Sequence, residues 1–298
     1  HLSIRRQRQM CIRDRTRMFK NIPIPSSFSM IQRGKVFLLL KEEYKDFLLK
    51  QRIEDVEAFL QEHRQTSNYL RGRMLHPLVS IKDGVRMVVR QYRHGGLFRA
   101  FAGDTYLFGS RSFRELALTE EILSCGIPTI QPIGAIHRLT LRPFYKAYLL
   151  SLEIPQAVDL IQYFQEIGPH PSREDLLVKR KIIRSTGFLL RQFHQAGFFH
   201  GDLQLKNILV AEGQPLLIDF DRSFRRQTLS TRERIKNLLR LNRSAEKWRR
   251  LGLSITRADR FRFFLAYAAG NLETRNAMKK ALQTNSIRLF FHRLCWRI

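Results

Sequence analysis

Three side chains near the middle of the chain have the types and the spacing that phosphoryl transfer needs. Asp202, in the stretch HGDLQLKN, is a carboxylate that can accept the proton of an attacking hydroxyl group. Asn207 follows five residues later and Asp219 twelve residues after that, and both offer the oxygen ligands that Mg²⁺ prefers. His200, just before Asp202, can support the loop by hydrogen bonds. The set predicts transfer of a phosphate from ATP, with Mg²⁺ as the cofactor.

A helix and a hairpin are the elements that must position these residues. The stretch KRKIIRSTGFLLRQFHQAG has apolar residues at helical spacing and predicts a buried helix that leads into the loop. After Asn207, ILVAEGQPLLI has two apolar runs around a turn, which predicts a hairpin that returns Asp219 to the loop. Taken alone, Asp202 could be an ordinary turn or cap residue. A phosphotransferase is favoured because four features occur together: the helix, the HxxGFxHGDLxxxN motif, the hairpin and the IDFD segment.

Strand-like alternation marks the N-terminal half of the chain. Residues 69–92 and 129–154 alternate as strands do, and a helix is predicted over residues 112–125. One or two amphipathic helices are predicted over residues 35–63. After Pro155 the pattern becomes mainly helical. This order predicts an α+β class and a two-lobed fold, with a β-rich N-lobe and a mainly helical C-lobe.

The sequence is predicted to divide into four segments. Residues 1–17 contain RRQRQMCIRDR, which matches the translation of a sequencing adapter, and we interpret them as an artefact rather than native sequence. The alternative is a basic arm that binds nucleic acid. The native start is then expected at Met18 or later. Residues 18–66 are predicted as a helical N-terminal extension, 67–154 as the N-lobe, and 155–298 as the helical C-lobe with a basic C-terminal segment.

The chain is strongly basic, with a formal net charge of +27. The stretch from Arg222 to Ile298 has twenty Lys or Arg against four Asp or Glu. Such a charge implies an anionic partner: a nucleic acid, a nucleotide, a phosphorylated substrate or a membrane surface. Cys125 and Cys295, the cysteines outside the adapter, form neither a disulfide framework nor a zinc pattern. Apolar runs such as VFLLL are far shorter than the roughly 20 residues that span a bilayer.

Several segments resemble the lipopolysaccharide core kinases, a family of the protein-kinase-like superfamily that phosphorylates Kdo or heptose. The resemblance is strongest to the Kdo-kinase branch and covers roughly residues 69–250. It is carried by RHGGL, DTYLFGSRSFRELALTEEIL, HQAGFFHGDLQLKNILV, LLIDFDRSFR and NLLRLNRSAEKW. It implies a kinase fold that uses ATP and Mg²⁺, in a Gram-negative bacterium. It also implies a cytoplasmic protein that is peripheral on the inner membrane.

The resemblance assigns roles to residues of the predicted N-lobe. Glu115 matches the helix glutamate that orients the phosphate-binding cation. Arg90, in MVVRQY, matches that cation, although a typical kinase has a lysine there. Lys146, in FYKAY, is the alternative cation. Glu115 could instead complete a capping box with Ser112.

The nucleotide would be held by further parts of the chain. Glu153 and Ile154, at the predicted lobe boundary, would offer backbone groups to the adenine ring. Either RHGGL or YLRGR would cover the phosphates, and a double glycine is equally a common tight turn. Together with Asn207 and Asp219, these segments make up the expected binding site for ATP and Mg²⁺.

Departures from the protein-kinase pattern indicate the class of acceptor. Gln204 stands where protein kinases usually carry a lysine that contacts the transferred phosphate. Asp221 replaces the glycine of Asp-Phe-Gly, and an Ala-Pro-Glu segment is missing from the sequence. These differences disfavour a regulated Ser/Thr kinase and favour a small-molecule or glycan kinase.

The leading hypothesis is ATP-dependent phosphorylation of a Kdo hydroxyl on a lipid A precursor. The expected partners are that anionic glycolipid and the anionic inner leaflet, with neither nucleic acid nor an obligate protein partner expected. Two stretches, DRFRFFLAYAAG and IRLFFHRLCWRI, mix arginine with aromatic residues as an interfacial helix does. Equally, their aromatic residues could be core and their arginines a solvated face.

Three alternatives remain open on the sequence. The first is a heptose kinase of the same family. The second is a small-molecule kinase that resembles the aminoglycoside phosphotransferases, although their pockets are usually acidic. The third is a basic pseudokinase that binds nucleic acid, which predicts loss of Asp202, Asn207 or Asp219, and all three are present.

Overall fold

The computed structural model forms two compact units. One comprises His1–Glu121 with Ile130–Glu153, and the other Ile122–Thr129 with Ile154–Ile298. The structure describes residues 19, 22–63, 68–70, 76–81, 84–92, 106–107, 110–140, 144–269, 275–277 and 280. The segments RHGGL and IRLFFHRLCWRI, and YLRGR beyond Leu70, lie outside the described residues.

An antiparallel sheet of eight strands is the frame of the first unit. Seven strands lie in the spatial order β1-β2-β7-β8-β5-β4-β3, and β6 pairs with β8. The strands are β1 (Phe28–Arg33), β2 (Val36–Lys41), β3 (Asn68–Leu70), β4 (His76–Ser80), β5 (Arg86–Gln91), β6 (Tyr106–Leu107), β7 (Pro132–Leu139) and β8 (Phe144–Leu152).

Helices cover both faces of this sheet. The helices are α1 (Glu42–Lys50), α2 (Val56–Glu62) and α3 (Arg111–Ser124). Phe113 and Leu116 of α3 pack with Phe37, Leu39 and Leu149 on one face. On the other face, Leu48, Val56 and Phe59 of α1 and α2 pack with Leu38, Leu40 and Tyr148. Successive residues of β2 therefore point into two separate apolar cores.

The predicted helices over residues 35–63 are wrong in their first part. VFLLL is the strand β2, which lies between β1 and β7 in the sheet. A strand that is buried on both faces carries a continuous apolar run, and periodicity alone does not distinguish such a run from a buried helix. Residues 28–41 are therefore not part of a helical extension, because they extend the sheet of the first unit. The boundaries of the four predicted segments stay a prediction.

The second unit is mainly helical. Its helices are α4 (Leu160–Ile167), α5 (Arg173–Gln195), α6 (Thr231–Arg250) and α7 (Arg257–Ala268). Its short strands are β9 (Val158–Asp159), β10 (Phe198–Phe199), β11 (Ile208–Ala211), β12 (Gln214–Leu217) and β13 (Phe224–Arg225). Side chains cap every one of these helices: Ser172, Ser230 and Thr256 form capping boxes, and Asp159 caps α4.

Helix α7 is part of the core of the second unit. A Cβ atom on Gly187 of α5 would lie 2.7 Å from the carbonyl oxygen of Phe263, so glycine allows the two helices to approach closely. Phe264 and Tyr267 are buried, and Asp259 forms a buried ion pair with Lys179 at 3.0 Å. Phe264 and Tyr267 within DRFRFFLAYAAG are thus core residues, whereas Phe261 and Leu265 are 53% and 43% exposed, so an interfacial role of this stretch stays a prediction. Among the described residues, no helix is long and apolar enough to cross a membrane.

Candidate active site

Two glycines allow the HGD loop to pack against the segment that follows β12. The chain leaves α5 through Gly197, which has a φ of 86°, and enters β10. A Cβ atom on Gly201 would lie 2.5 Å from the carbonyl oxygen of Asp221. The Gly201 N–H also donates to the Ser223 hydroxyl at 2.9 Å. Only glycine permits this approach of the loop to the residues around IDFD.

Asp202 is held by two donors, with an ammonium group nearby. Its Oδ1 atom accepts from Gln204 Nε2 at 2.6 Å and from the Arg240 guanidinium at 2.7 Å. The Lys206 ammonium lies 3.8 Å from Oδ2. The carboxylate is 31% exposed, so a substrate hydroxyl can reach it. Gln204, at the position of the usual kinase lysine, therefore orients the candidate base.

His200 joins the HGD loop to the strand of IDFD. It lies buried, its Nε2–H donates to the Ile218 carbonyl at 3.0 Å, and its Nδ1 accepts from the Asp202 N–H at 3.1 Å. This pattern requires a neutral ring with the proton on Nε2. Burial lowers the pKa of His200 to about 4, which agrees with that tautomer. The contacts describe a positioning residue, with both ring nitrogens engaged.

The hairpin returns Asp219 to Asn207. Strands β11 and β12 pair Ile208 with Leu217, and the Ile218 N–H donates to the Asn207 carbonyl at 3.0 Å. Asp219 has a φ of 66°, a left-handed conformation that is uncommon outside glycine and concentrates at functional sites. The structure thus brings IDFD and HGDLQLKN together.

The side chains of Asn207 and Asp219 fit a Mg²⁺ site. The Asn207 amide nitrogen donates to the Asp202 carbonyl at 2.7 Å, so the amide oxygen faces the opposite way. Amide and carboxylate oxygens are the donors that Mg²⁺ takes, usually with one or two protein ligands plus phosphate and water. In the described part of the chain, no group of three or more His, Cys, Asp or Glu is arranged so that it could hold a metal ion. The two-ligand type of site is the one these residues could form.

Arg90 and Glu115 form an ion pair in the first unit. Arg90 Nη2 lies 2.5 Å from Glu115 Oε2, and the Glu115 side chain is buried. The Tyr92 hydroxyl also donates to Glu115, and the Arg90 guanidinium lies 4.8 Å above the Tyr92 ring. Burial and the nearby Glu115 raise the pKa of Tyr92 well above its usual value, which keeps the hydroxyl a donor.

Lys146 lies on the other face of the sheet. Arg90 pairs in register with Leu149, whose side chain belongs to the core beneath α3. Lys146 instead bonds Glu57 of α2 at 3.0 Å. Because strand side chains alternate between faces, an ion pair of Lys146 with Glu115 would need a shift of register.

Ser112 does not cap α3. The helix begins at Arg111, and the Ser112 hydroxyl donates to the Ile136 carbonyl of β7 at 3.2 Å. The Phe113 N–H is bonded by the Ser110 hydroxyl instead, at 3.4 Å. The capping-box interpretation of Glu115 is therefore wrong, because a buried serine bonds the sheet rather than the helix end.

Glu153 and Ile154 directly follow β8. The Glu153 N–H donates to the Arg86 carbonyl at 2.8 Å, and its carboxylate pairs with the Arg86 guanidinium at 2.5 Å. The Ile154 carbonyl accepts from the Ala157 N–H at 3.3 Å. The Glu153 carbonyl and the Ile154 N–H belong to one trans peptide and point in opposite directions, so at most one of them could face an adenine ring.

A buried polar network behind the HGD loop was not predicted from the sequence. Asn237 of α6 accepts from the His200 N–H at 3.1 Å and donates to the His200 carbonyl at 2.7 Å. Its Oδ1 atom also accepts from His194 Nε2 at 3.1 Å, and His194 Nδ1 accepts from the Tyr267 hydroxyl at 2.7 Å. Burial lowers the pKa of His194 to about 4. The network ties α5, α6 and α7 to the loop.

Two more residues of α6 contact the loop. Arg240 bonds Asp202, and the Ser244 hydroxyl accepts from the Leu205 N–H at 3.2 Å. With Asn237 they are spaced at i, i+3 and i+7, which places them along one side of the helix. The polar residues at this spacing within NLLRLNRSAEKW are the sequence pattern from which these contacts could have been predicted.

Comparison with known proteins places the chain in a family. A sequence model of the lipopolysaccharide kinase (Kdo/WaaP) family matches residues 58–267, more than half of the chain. The chain belongs to this family. The match confirms the resemblance to the lipopolysaccharide core kinases.

Relatives named 3-deoxy-D-manno-octulosonic acid kinase are similar in sequence to part of this chain. The protein of Xanthomonas campestris pv. campestris (strain B100) is 38% identical over 167 residues, which are 54% of this chain and 62% of the relative. That of Vibrio cholerae serotype O1 (strain ATCC 39315 / El Tor Inaba N16961) is 36% identical over 165 residues, 53% of this chain and 65% of the relative. The matches thus span less than two thirds of these relatives.

A solved member of the Kdo/WaaP family has the same fold. The structure titled "WaaP in complex with acyl carrier protein" superposes with a TM-score of 0.52 at 19% identity. The superposition covers 83% of this chain and 98% of the other. The two-lobed, protein-kinase-like α+β fold predicted from the sequence is confirmed.

Proposed function

We propose that this protein transfers the terminal phosphate of ATP to a hydroxyl of a Kdo sugar on a lipid A precursor. The observation that carries the proposal is the constellation around Asp202. An oriented, part-exposed carboxylate lies next to an asparagine that is hydrogen-bonded to the IDFD segment. Phosphoryl transfer needs these groups, and little covalent chemistry beyond positioning and charge stabilisation.

Asp202 is the proposed base. As the acceptor oxygen bonds to phosphorus and the bond to ADP breaks, Asp202 would take the hydroxyl proton. Arg240 and Gln204 hold its Oδ1 atom, which fixes the direction of the carboxylate. His200 would keep the loop in this geometry without exchanging a proton itself, because both of its nitrogens are bonded.

Asn207 and Asp219 are the proposed ligands of Mg²⁺. When bound, the ion neutralises charge on the phosphates of ATP. Arg90 is the proposed phosphate-binding cation, since it pairs with Glu115, the residue to which the family pattern gives the orienting role, and the Tyr92 hydroxyl bonds the same carboxylate. An arginine suits this task because its planar group can grip a phosphate through two donors.

Kdo is favoured over heptose and over aminoglycosides as the acceptor. The relatives at 36–38% identity carry the name of a Kdo kinase. The excess of Lys and Arg in the second unit also suits an anionic glycolipid better than a cationic drug. We place the protein on the cytoplasmic face of the inner membrane, where such an acceptor would be found.

An acceptor panel tests this proposal. The full chain is incubated with ATP, Mg²⁺ and one acceptor at a time: a Kdo-bearing lipid A precursor, a heptosylated core or an aminoglycoside. Products are identified by mass spectrometry, and the Asp202→Asn variant is the control. We expect one added phosphate on the Kdo lipid that is lost with Asp202→Asn. Phosphate on the heptosylated core alone would move the acceptor to heptose.

A further inference from the structure

A row of basic side chains runs along the exposed side of α6. It consists of Arg232, Lys236, Arg240, Arg243 and Lys247, which we call the α6 basic stripe. At 100° per residue these five positions lie within an arc of about 80°, over a length of about 22 Å. All five side chains are exposed, while the opposite side of the helix buries Leu238, Leu241 and Ala245 in the core.

The acidic residues of α6 neutralise other cations. Glu233 pairs with Arg226, and Glu246 pairs with Arg249 and Arg260. Within the part of the chain that the structure describes, no carboxylate lies at ion-pair distance from Arg232, Arg243 or Lys247, and Lys236 lies 5.9 Å above the Phe199 ring. Four of the five stripe residues therefore carry positive charge that no carboxylate of the described residues compensates, and Arg240 pairs with Asp202.

The middle of the stripe contacts the candidate base. Arg240 is 44% exposed and bonds Asp202 Oδ1 at 2.7 Å, so the stripe passes directly beside the HGD loop. Whatever anionic surface binds the stripe is thus brought next to Asp202.

An exposed leucine continues the stripe. Leu251 follows Lys247 at i+4 and is 64% exposed, at the end of α6. A row of cations that ends in an exposed aliphatic side chain matches an anionic bilayer, which takes charge at its headgroups and apolar groups below them. Phe264 and Tyr267 of α7 lie in the core and Phe261 is 53% exposed, whereas α6 combines an exposed row of cations with an exposed aliphatic side chain.

We infer that the α6 basic stripe docks the protein on an anionic phospholipid surface and holds Asp202 at the level of the headgroups. The inference deepens the proposed function, on which it rests, because a sugar anchored to a lipid presents its hydroxyl at that level. Each Lys or Arg near such a surface contributes about 1 kcal/mol, and salt screens the attraction.

Vesicle co-sedimentation tests this without ATP or acceptor, so its outcome is independent of kinase activity. The full chain is mixed with phosphatidylcholine vesicles with or without phosphatidylglycerol, at low and high salt. The double variant Arg243→Gln/Lys247→Gln removes two stripe charges, and Arg232→Gln/Lys236→Gln removes two others. Both leave Arg240, which bonds Asp202, unchanged. The matched control, Lys181→Gln/Arg184→Gln, removes two exposed charges of α5. Thermal unfolding confirms that each variant folds.

We expect salt-sensitive binding to the phosphatidylglycerol vesicles alone. Each stripe double variant should lower the partition coefficient roughly 30-fold, the change that two such charges give, and the α5 control should leave it within about threefold. Equal losses in stripe and control variants would show a response to net charge and overturn the inference. So would absence of vesicle binding by the unchanged chain, including the case in which it binds an oligonucleotide instead.

Discussion

Asn237 offers the sharpest test of how α6 supports the HGD loop. Its side chain bonds the His200 N–H, the His200 carbonyl and His194 Nε2, and all of these groups are buried. Asn237→Ala leaves the three groups without their partner. A buried polar group without a partner costs about 1–3 kcal/mol, so we expect the free energy of unfolding to fall by at least about 3 kcal/mol. That is a large share of the 5–15 kcal/mol typical of a domain.

Urea denaturation measures this loss, with the fluorescence of Trp248 on the same helix as the probe. Asn242→Ala is the matched control, since Asn242 lies on α6 and has no side-chain hydrogen bond among the described residues. We expect the control to change the free energy of unfolding by less than about 1 kcal/mol. If Asn237→Ala costs no more than Asn242→Ala, the buried network does not stabilise the fold and the reasoning fails.

Three further predictions follow from the same contacts. Arg90→Ala should lower kcat roughly 10²–10³-fold and Lys146→Ala by much less, as steady-state kinetics with ATP and the Kdo acceptor will show; equal effects would contradict the ion-pair assignment. Gly201→Ala should cost about 1–3 kcal/mol in urea denaturation and at least tenfold in kcat, because a Cβ cannot fit beside Asp221; full activity would contradict it. Burial lowers the pKa of His194 and His200 to about 4 in the folded protein. Below the ordinary histidine pKa of about 6.5, the unfolded chain therefore binds more protons than the folded chain. Stability should therefore fall between pH 6.5 and pH 4, with a weaker slope in His194→Gln, when urea midpoints are compared across that range.

The central residues of the candidate site could be predicted because their geometry is local. Asp202, Asn207 and Asp219 lie on one loop and one hairpin, and the turn between β11 and β12 is short enough to be visible in the sequence. Their spacing alone therefore predicts that they meet. The pairing of Arg90 with Glu115 was reached through the family pattern, and the register of β5 explains it.

What the sequence could not predict depends on contacts between distant residues. VFLLL of β2 is a strand because β7 pairs with it about 100 residues later along the chain, a partner that its own pattern does not reveal. Asn237 and Arg240 reach the HGD loop from a helix more than thirty residues away in sequence. Such polar residues look like part of a solvated helix face until their partners are known.

Single-turnover transfer tests the central claim most directly. The full chain is mixed with ATP labelled in its terminal phosphate, Mg²⁺ and the Kdo-bearing lipid A precursor, and the label on the lipid is followed in parallel with Asp202→Asn. The proposal predicts that the label moves to the lipid, and that Asp202→Asn slows the transfer at least about 10²-fold. Label that appears only as free phosphate, or transfer at an equal rate in both proteins, would contradict it.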